Sequence, residues 1–281
     1  GGANGALSLD AASLENRGLI GGAGVGTRDV AGTLDNRSQI QGDALVLTTG
    51  ALKNGEAGSL LLANKGLDID SASFTNAGTV QGGEKLAIAA REAIANSGVL
   101  QTRKAGGQLT LEGASISNSG TVQAAGSASA SSAKGAIDNS GNLLAGEDLD
   151  VTAATKLNNR GSDSVLLAGG ALALQAGVID NAGAIEAGAD ASVTASAGDF
   201  TNAGQLRAEG KLALNARDAL ANRGAIVSGA SLTAQAASFT STGQVEADGA
   251  MTVQAKGALH NAGTLQTTGG APMKLNGGAI S

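Results

Sequence analysis

One signature constrains this chain more than any other feature: apolar, any residue, Asn, any residue, Gly, any residue, apolar, recurring roughly every twenty residues. It reads LENRGLI at 14–20, FTNAGTV at 74–80, IANSGVL at 94–100, ISNSGTV at 116–122, IDNSGNL at 137–143, IDNAGAI at 179–185, FTNAGQL at 200–206, LANRGAI at 220–226 and LHNAGTL at 259–265. Looser copies stand at 34–40, 52–58, 157–163 and 239–245. The third position is Asn16, Asn36, Asn54, Asn76, Asn96, Asn118, Asn139, Asn159, Asn181, Asn202, Asn222, Ser241 and Asn261, in steps of 18 to 22 residues. In all thirteen copies the residue two before this anchor is apolar, and in eleven the residue two after it is Gly. Self-similarity at such a period marks a solenoid.

Between anchors lies a second pattern, an alternating triplet: Leu45-Val46-Leu47, Leu67-Asp68-Ile69, Leu86-Ala87-Ile88, Leu109-Thr110-Leu111, Leu149-Asp150-Val151, Leu172-Ala173-Leu174, Leu212-Ala213-Leu214 and Met251-Thr252-Val253. Alternation with period two describes a strand with one buried face. No unit has room for the ten or more residues of 3.6-residue periodicity that a helix requires. Each unit is therefore expected to hold two or three strands of three to five residues. The fold class that follows is all-β, a right-handed parallel β-helix of about 13 coils with about 20 residues per coil. At the usual strand spacing such a rod would be about 60 Å long.

The anchors take their expected roles from this architecture. Asn16, Asn36, Asn76, Asn96, Asn118, Asn139, Asn181, Asn202, Asn222 and Asn261 are expected to form corners, since Asn tolerates the left-handed conformation of a tight turn and can stack into a hydrogen-bonded ladder. The Gly two residues later is expected to supply backbone geometry closed to other residues. Phe74, Phe200 and Phe239 all occupy the always-apolar position before the anchor and are read as core. His260, the single histidine, occupies a position filled in other copies by Asp35, Thr75, Asp138, Asp180 and Thr201, and is expected on the outward face.

Composition narrows the chemistry. The 281 residues contain 45 Gly, 3 Phe and no Cys, Trp or Tyr, with 42% hydrophobic and 15% charged residues. So many aliphatic residues exclude a disordered chain. One His and no Cys remove most nucleophilic and metal chemistry, and no cofactor is expected. The net charge of −6 with scattered Lys and Arg argues against nucleic acid as a partner. No segment approaches the length of a transmembrane helix. The opening GGANGALSLD is not a signal peptide, and the repeat running into both ends suggests a fragment of a much longer exoprotein, residues 1–281 forming a single rod. Carboxylates such as Glu147-Asp148 and Glu246 with Asp248 are expected in turns, with no aromatic platform beside them to suggest sugar cleavage.

Departures from the repeat are expected to be loops, where function concentrates. Residues 21–32 (GGAGVGTRDVAG) show no clear triplet. Residues 53–58 and 160–164 lengthen the turn after the anchor. Residues 101–108 (QTRKAGGQ) carry the adjacent pair Arg103 and Lys104, a candidate binding loop. Residues 127–135 (SASASSAKG) replace large core residues with Ala, predicting a thin coil.

LDNRSQIQGDALVL, FTNAGTVQGGEKLAI, IDNSGNLLAGEDLDV and FTNAGQLRAEGKLAL resemble the filamentous haemagglutinin repeat, and the resemblance extends from about Leu7 to Leu265. That repeat builds the stalks of two-partner-secreted adhesins and contact-dependent growth inhibition toxins of Gram-negative bacteria. The resemblance implies secretion through a dedicated outer-membrane transporter and display on the cell surface. It implies a structural stalk, partnered by flanking repeats of its own chain, that projects a distal active region. One other reading stays open, adhesion by this segment to a glycan or protein receptor on a target cell; the chain is not expected to be an enzyme.

Overall fold

In the computed structural model, which describes residues 5, 7–22 and 24–281, the chain is an all-β parallel solenoid of about 14 turns, with successive turns about 20 residues apart and no helix among the described residues. It divides into two compact units, Gly1–Gly135 with Gly141–Glu147, and Ala136–Ser140 with Asp148–Ser281.

In the first unit every coil repeats the same three segments. The triplet strands pair in parallel so that Leu45, Leu67, Leu86, Leu109 and Ala128 form one column and Leu47, Ile69, Ile88, Leu111 and Ala130 another. The anchor strands align Leu14, Leu34, Leu52, Phe74, Ile94 and Ile116. The strands returning on the opposite sheet align Ile20, Ile40, Leu61, Val80, Leu100, Val122 and Leu143. The second unit repeats this plan, with Ile137, Leu157, Ile179, Phe200, Leu220, Phe239 and Leu259 as its anchor column.

Nearly all of these side chains are buried, and each buried aliphatic or aromatic residue contributes about 1.5–3 kcal/mol. The core is thus a set of stacked columns one residue wide, which small aliphatic residues fill without aromatic bulk. The coil at residues 127–135 is built on Ala128 and Ala130, both buried.

Two expectations about strands need correction. Residues 21–32 do not form a loop: the strand Val25–Asn36 covers most of the stretch, and Ala23 lies outside the described residues. Its inward positions are Gly26 and Arg28, paired with Leu45 and Leu47, so no apolar alternation announces it. An extra residue between Val30 and Thr33 also shifts these positions away from the anchor. Nor are all strands short. Ala44–Asn54, Gly66–Asn76 and Leu149–Asn159 each run 11 residues from the triplet through a bend into the anchor, because main-chain pairing with the neighbouring coil continues around the corner.

The corners also differ from expectation. No described residue other than Gly has a positive φ, so the anchor Asn residues are not left-handed. Each ends an extended strand just before the bend. From Gly78 onward the Gly two residues later mostly serves close approach rather than φ, whereas a Cβ on Gly18 would meet nothing within 4 Å. A Cβ on Gly98 would collide with the backbone of Ala77 and Gly78 in the neighbouring coil. Gly161 differs, with φ of 87° in the widened turn at residues 160–164 and open space around it.

Candidate functional site

The anchor Asn residues come together as a buried polar ladder. In the first unit the Nδ2 of Asn16 donates to the Oδ1 of Asn36 at 2.8 Å. Asn36 donates likewise to Asn54 at 2.7 Å, Asn54 to Asn76, Asn76 to Asn96 and Asn96 to Asn118, each at 2.8 Å. In the second unit Asn139 donates to Asn159 and Asn159 to Asn181, both at 2.9 Å, then Asn181 to Asn202 at 2.8 Å and Asn202 to Asn222 at 2.9 Å. Many of the same Nδ2 groups also donate to carbonyls of the adjacent return strand, such as Asn54 to Thr79 at 3.2 Å and Asn181 to Gln205 at 2.9 Å.

An amide buried without partners would cost a few kcal/mol. Here each amide links the two sheets and the next coil at once, and the cost is offset. The ladder specifies register: a coil slipped by one residue would turn its amide and its apolar residues outward, and one slipped by two would set the amide against the apolar column. This is structural chemistry, with neither a nucleophile nor a vacancy for a substrate.

Phe74, Phe200 and Phe239 are buried in the anchor columns. His260 is exposed, and its Nδ1 lies 2.9 Å from the Oγ of Ser281. Among the described residues no group of three or more His, Cys, Asp or Glu is arranged to hold a metal ion, and no helix is long and apolar enough to cross a membrane.

The Arg103–Lys104 loop is a closed turn. Its backbone is tied to Gly83 O through the amides of both residues, and the Oγ1 of buried Thr102 donates to Gly107 O at 2.9 Å. Lys104 Nζ pairs with Glu84 Oε1 at 2.7 Å. The hydrogen bond and charge of Lys104 hold the Glu84 carboxyl below its ordinary value. Arg103 is exposed beside this pair. The loop thus presents one cation rather than two.

Carboxylates considered for catalysis are engaged elsewhere. Asp148 Oδ1 accepts from the Ala171 amide at 2.8 Å, and Asp248 Oδ1 from Thr268 Oγ1 at 3.0 Å. Glu246 lies in the strand Gln244–Ala247 instead of the expected turn, because the return strand runs past it, and its Oε2 accepts from Gln244 Nε2 at 2.7 Å.

Arg28 is the polar residue that sequence reasoning missed. It is fully buried in the column between Leu9 and Leu47. Its Nη1 donates to Leu7 O at 2.6 Å and to Thr27 O at 3.0 Å, while Nε has no partner. Burial lowers its pKa from the ordinary arginine value. The guanidinium fits because position 26, beside it, is Gly. The signal was present as a Gly-x-Arg-x-Val alternation, but Arg does not count as apolar in a search for inward faces.

Columns of aliphatic side chains closed by an internal amide ladder define a repeat-built β-solenoid scaffold. The haemagglutinin repeat family matches residues 2–69, 56–122, 105–204, 188–245 and 231–278, and the chain belongs to that family. No curated protein and no solved structure matches it. The family is a structural, adhesin-type one whose members are typically secreted surface proteins of Gram-negative bacteria.

Proposed function

We propose that this segment is a length of stalk in a secreted, surface-displayed filamentous protein, holding a distal adhesive or toxin-delivering region away from the cell. The observation that carries this reading is the register of equivalent positions, coil after coil, in which inward residues meet their counterparts and anchor amides bond to the next rung as far as Ser241. In such an array stability is a sum over neighbouring interfaces, so length can be added or removed without redesign. The same property suits export through a two-partner outer-membrane transporter, where each coil folded outside stabilises the previous one and resists back-sliding. No catalytic role belongs to the proposal: the buried polar groups serve register, and the carboxylates considered are tied up in local hydrogen bonds. Adhesion through the Arg103–Lys104 loop has less support, since Lys104 is paired with Glu84.

The test is a panel of deletions in the full-length parent, scored for surface display and target-cell engagement. Removing residues 76–95 takes out one period and sets Asn96 where Asn76 stood. Display should survive, with engagement declining gradually as more coils are removed. Deleting half a period should block display. Abrupt loss of engagement on removing one coil, with display intact, would overturn the stalk reading.

A further inference from the structure

The second unit carries a groove of about 510 Å³ on its outer surface whose chemistry the stalk reading does not use. Its floor contains buried alanines, Ala216, Ala236 and Ala255, from successive coils. Along one wall Asn215, Gln235, Gln254 and Asn276 stack in register, one carboxamide per coil. Along the other stand Arg217 and Lys256, both exposed and directly following Ala216 and Ala255. No carboxylate lines the groove, although the chain has 24 Asp and Glu and a net charge of −6. Among the described residues, none of the ion pairs involves Arg217 or Lys256. Asp218, next along the chain, is not a lining residue.

We propose that this groove binds an extended, unsulfated acidic polysaccharide carrying a carboxylate on every second sugar. Each carboxamide both donates and accepts, which suits sugar hydroxyl and acetamido groups. Arg217 and Lys256 are two coils apart, with Ala237 at the intervening position, so the two cations stand about 9.5 Å apart along the strand-stacking direction. That is close to the length of two extended pyranose units, so alternate sugars would place a carboxylate at each cation. A densely sulfated chain would bring several anions for each cation to an acidic protein, and repulsion would oppose it. Without an aromatic platform a single groove binds weakly, and useful strength comes from many chains displayed together.

The test is titration of the 281-residue protein with hyaluronan oligosaccharides, which alternate glucuronate with N-acetylglucosamine, followed by NMR of the groove amides. Arg217→Gln with Lys256→Gln should weaken binding about tenfold, the product of two exposed ion pairs. Gln235→Ala with Gln254→Ala should weaken it without changing charge. Arg91→Gln with Lys134→Gln, in the other unit, should leave it unchanged. All these side chains are exposed, so circular dichroism should be identical across the set. Carboxyl-reduced hyaluronan should bind about tenfold more weakly than hyaluronan, and the Arg217/Lys256 substitutions should not weaken it further. Absence of hyaluronan binding at millimolar concentration would overturn the proposal, as would binding indifferent to the Arg217/Lys256 pair. Equal binding of polyglutamate would show that charge alone is read, and preference for heparin that density is favoured; either result also refutes it. The readout is binding by the isolated segment, so its failure leaves the length dependence of the stalk untouched.

Discussion

The Oδ1 of Asn261 is buried without a donor because Ser241, the preceding rung, directs its one hydroxyl proton to Gly243 O at 3.4 Å. Asn222 still donates to Ser241 Oγ at 3.3 Å, so the ladder arrives at Ser241 and stops there. A serine can receive the chain of amide bonds but cannot both reach the neighbouring carbonyl and pass the chain on. Ser241→Asn should therefore stabilise the protein by about 1 kcal/mol, the usual worth of a completed internal hydrogen bond. Urea unfolding compared with the parent would show it. An unchanged or lowered midpoint would mean that the rung does not govern stability.

The buried Arg28 and Gly26 form a second coupled pair. A Cβ on Gly26 would lie 2.8 Å from Arg28 Nη1 and 3.1 Å from a Leu45 methyl. Gly26→Ala should destabilise by about 1–3 kcal/mol through overpacking. Arg28→Met should be neutral or stabilising by about 1–3 kcal/mol, since a buried charge gives way to an apolar chain of similar reach and Leu7 O keeps the Thr27 amide as donor. In the Arg28→Met background Gly26→Ala should cost less. Additive effects in a double-mutant cycle would contradict the shared-space account.

Phe200→Asp should destabilise the second unit by several kcal/mol, since it sets a charge in the column between Ile179 and Leu220. His260→Ala should change stability by less than about 0.5 kcal/mol, as is usual for surface residues. Thermal unfolding of the two variants side by side is the measurement. Equal losses would be incompatible with the inward and outward assignments.

The Glu84–Lys104 pair has a defined pH signature. The folded-state pKa of Glu84 is depressed, so its contribution to stability is present above the unfolded carboxyl value of about 4.3 and is lost as pH falls through the folded value. The pair is exposed, so its effect on stability is small. NMR titration of the Glu84 carboxyl should show the depression, and Lys104→Gln should return it toward the ordinary range. A titration unmoved by that substitution would place the cause elsewhere.

Circular dichroism should show β structure with almost no helix, because every repeat is filled by strands and turns. More than about a tenth of helix would conflict with the absence of any helix-length pattern.

The sequence by itself determined the period, the parallel solenoid and, outside residues 21–32, most of the inward-facing residues. Alternation within Leu67-Asp68-Ile69, or the apolar residue two before each Asn, is local information, and period-two geometry converts it directly into a buried face. Beyond the stacking of the anchor Asn residues, what residues some twenty positions apart do to one another was decided only by the tertiary structure. Asn96 was legible as a corner, but its conformation is extended, and its role depends on Asn76 and Asn118 in adjacent coils. Gly98 is needed because of Gly78, and Lys104 is neutralised by Glu84. Arg28 entered an apolar column because an inserted residue moved it there and Gly26 made room. Each is a relation across the stacking direction, at right angles to the strand that local patterns describe, so it becomes visible only when the coils are in register.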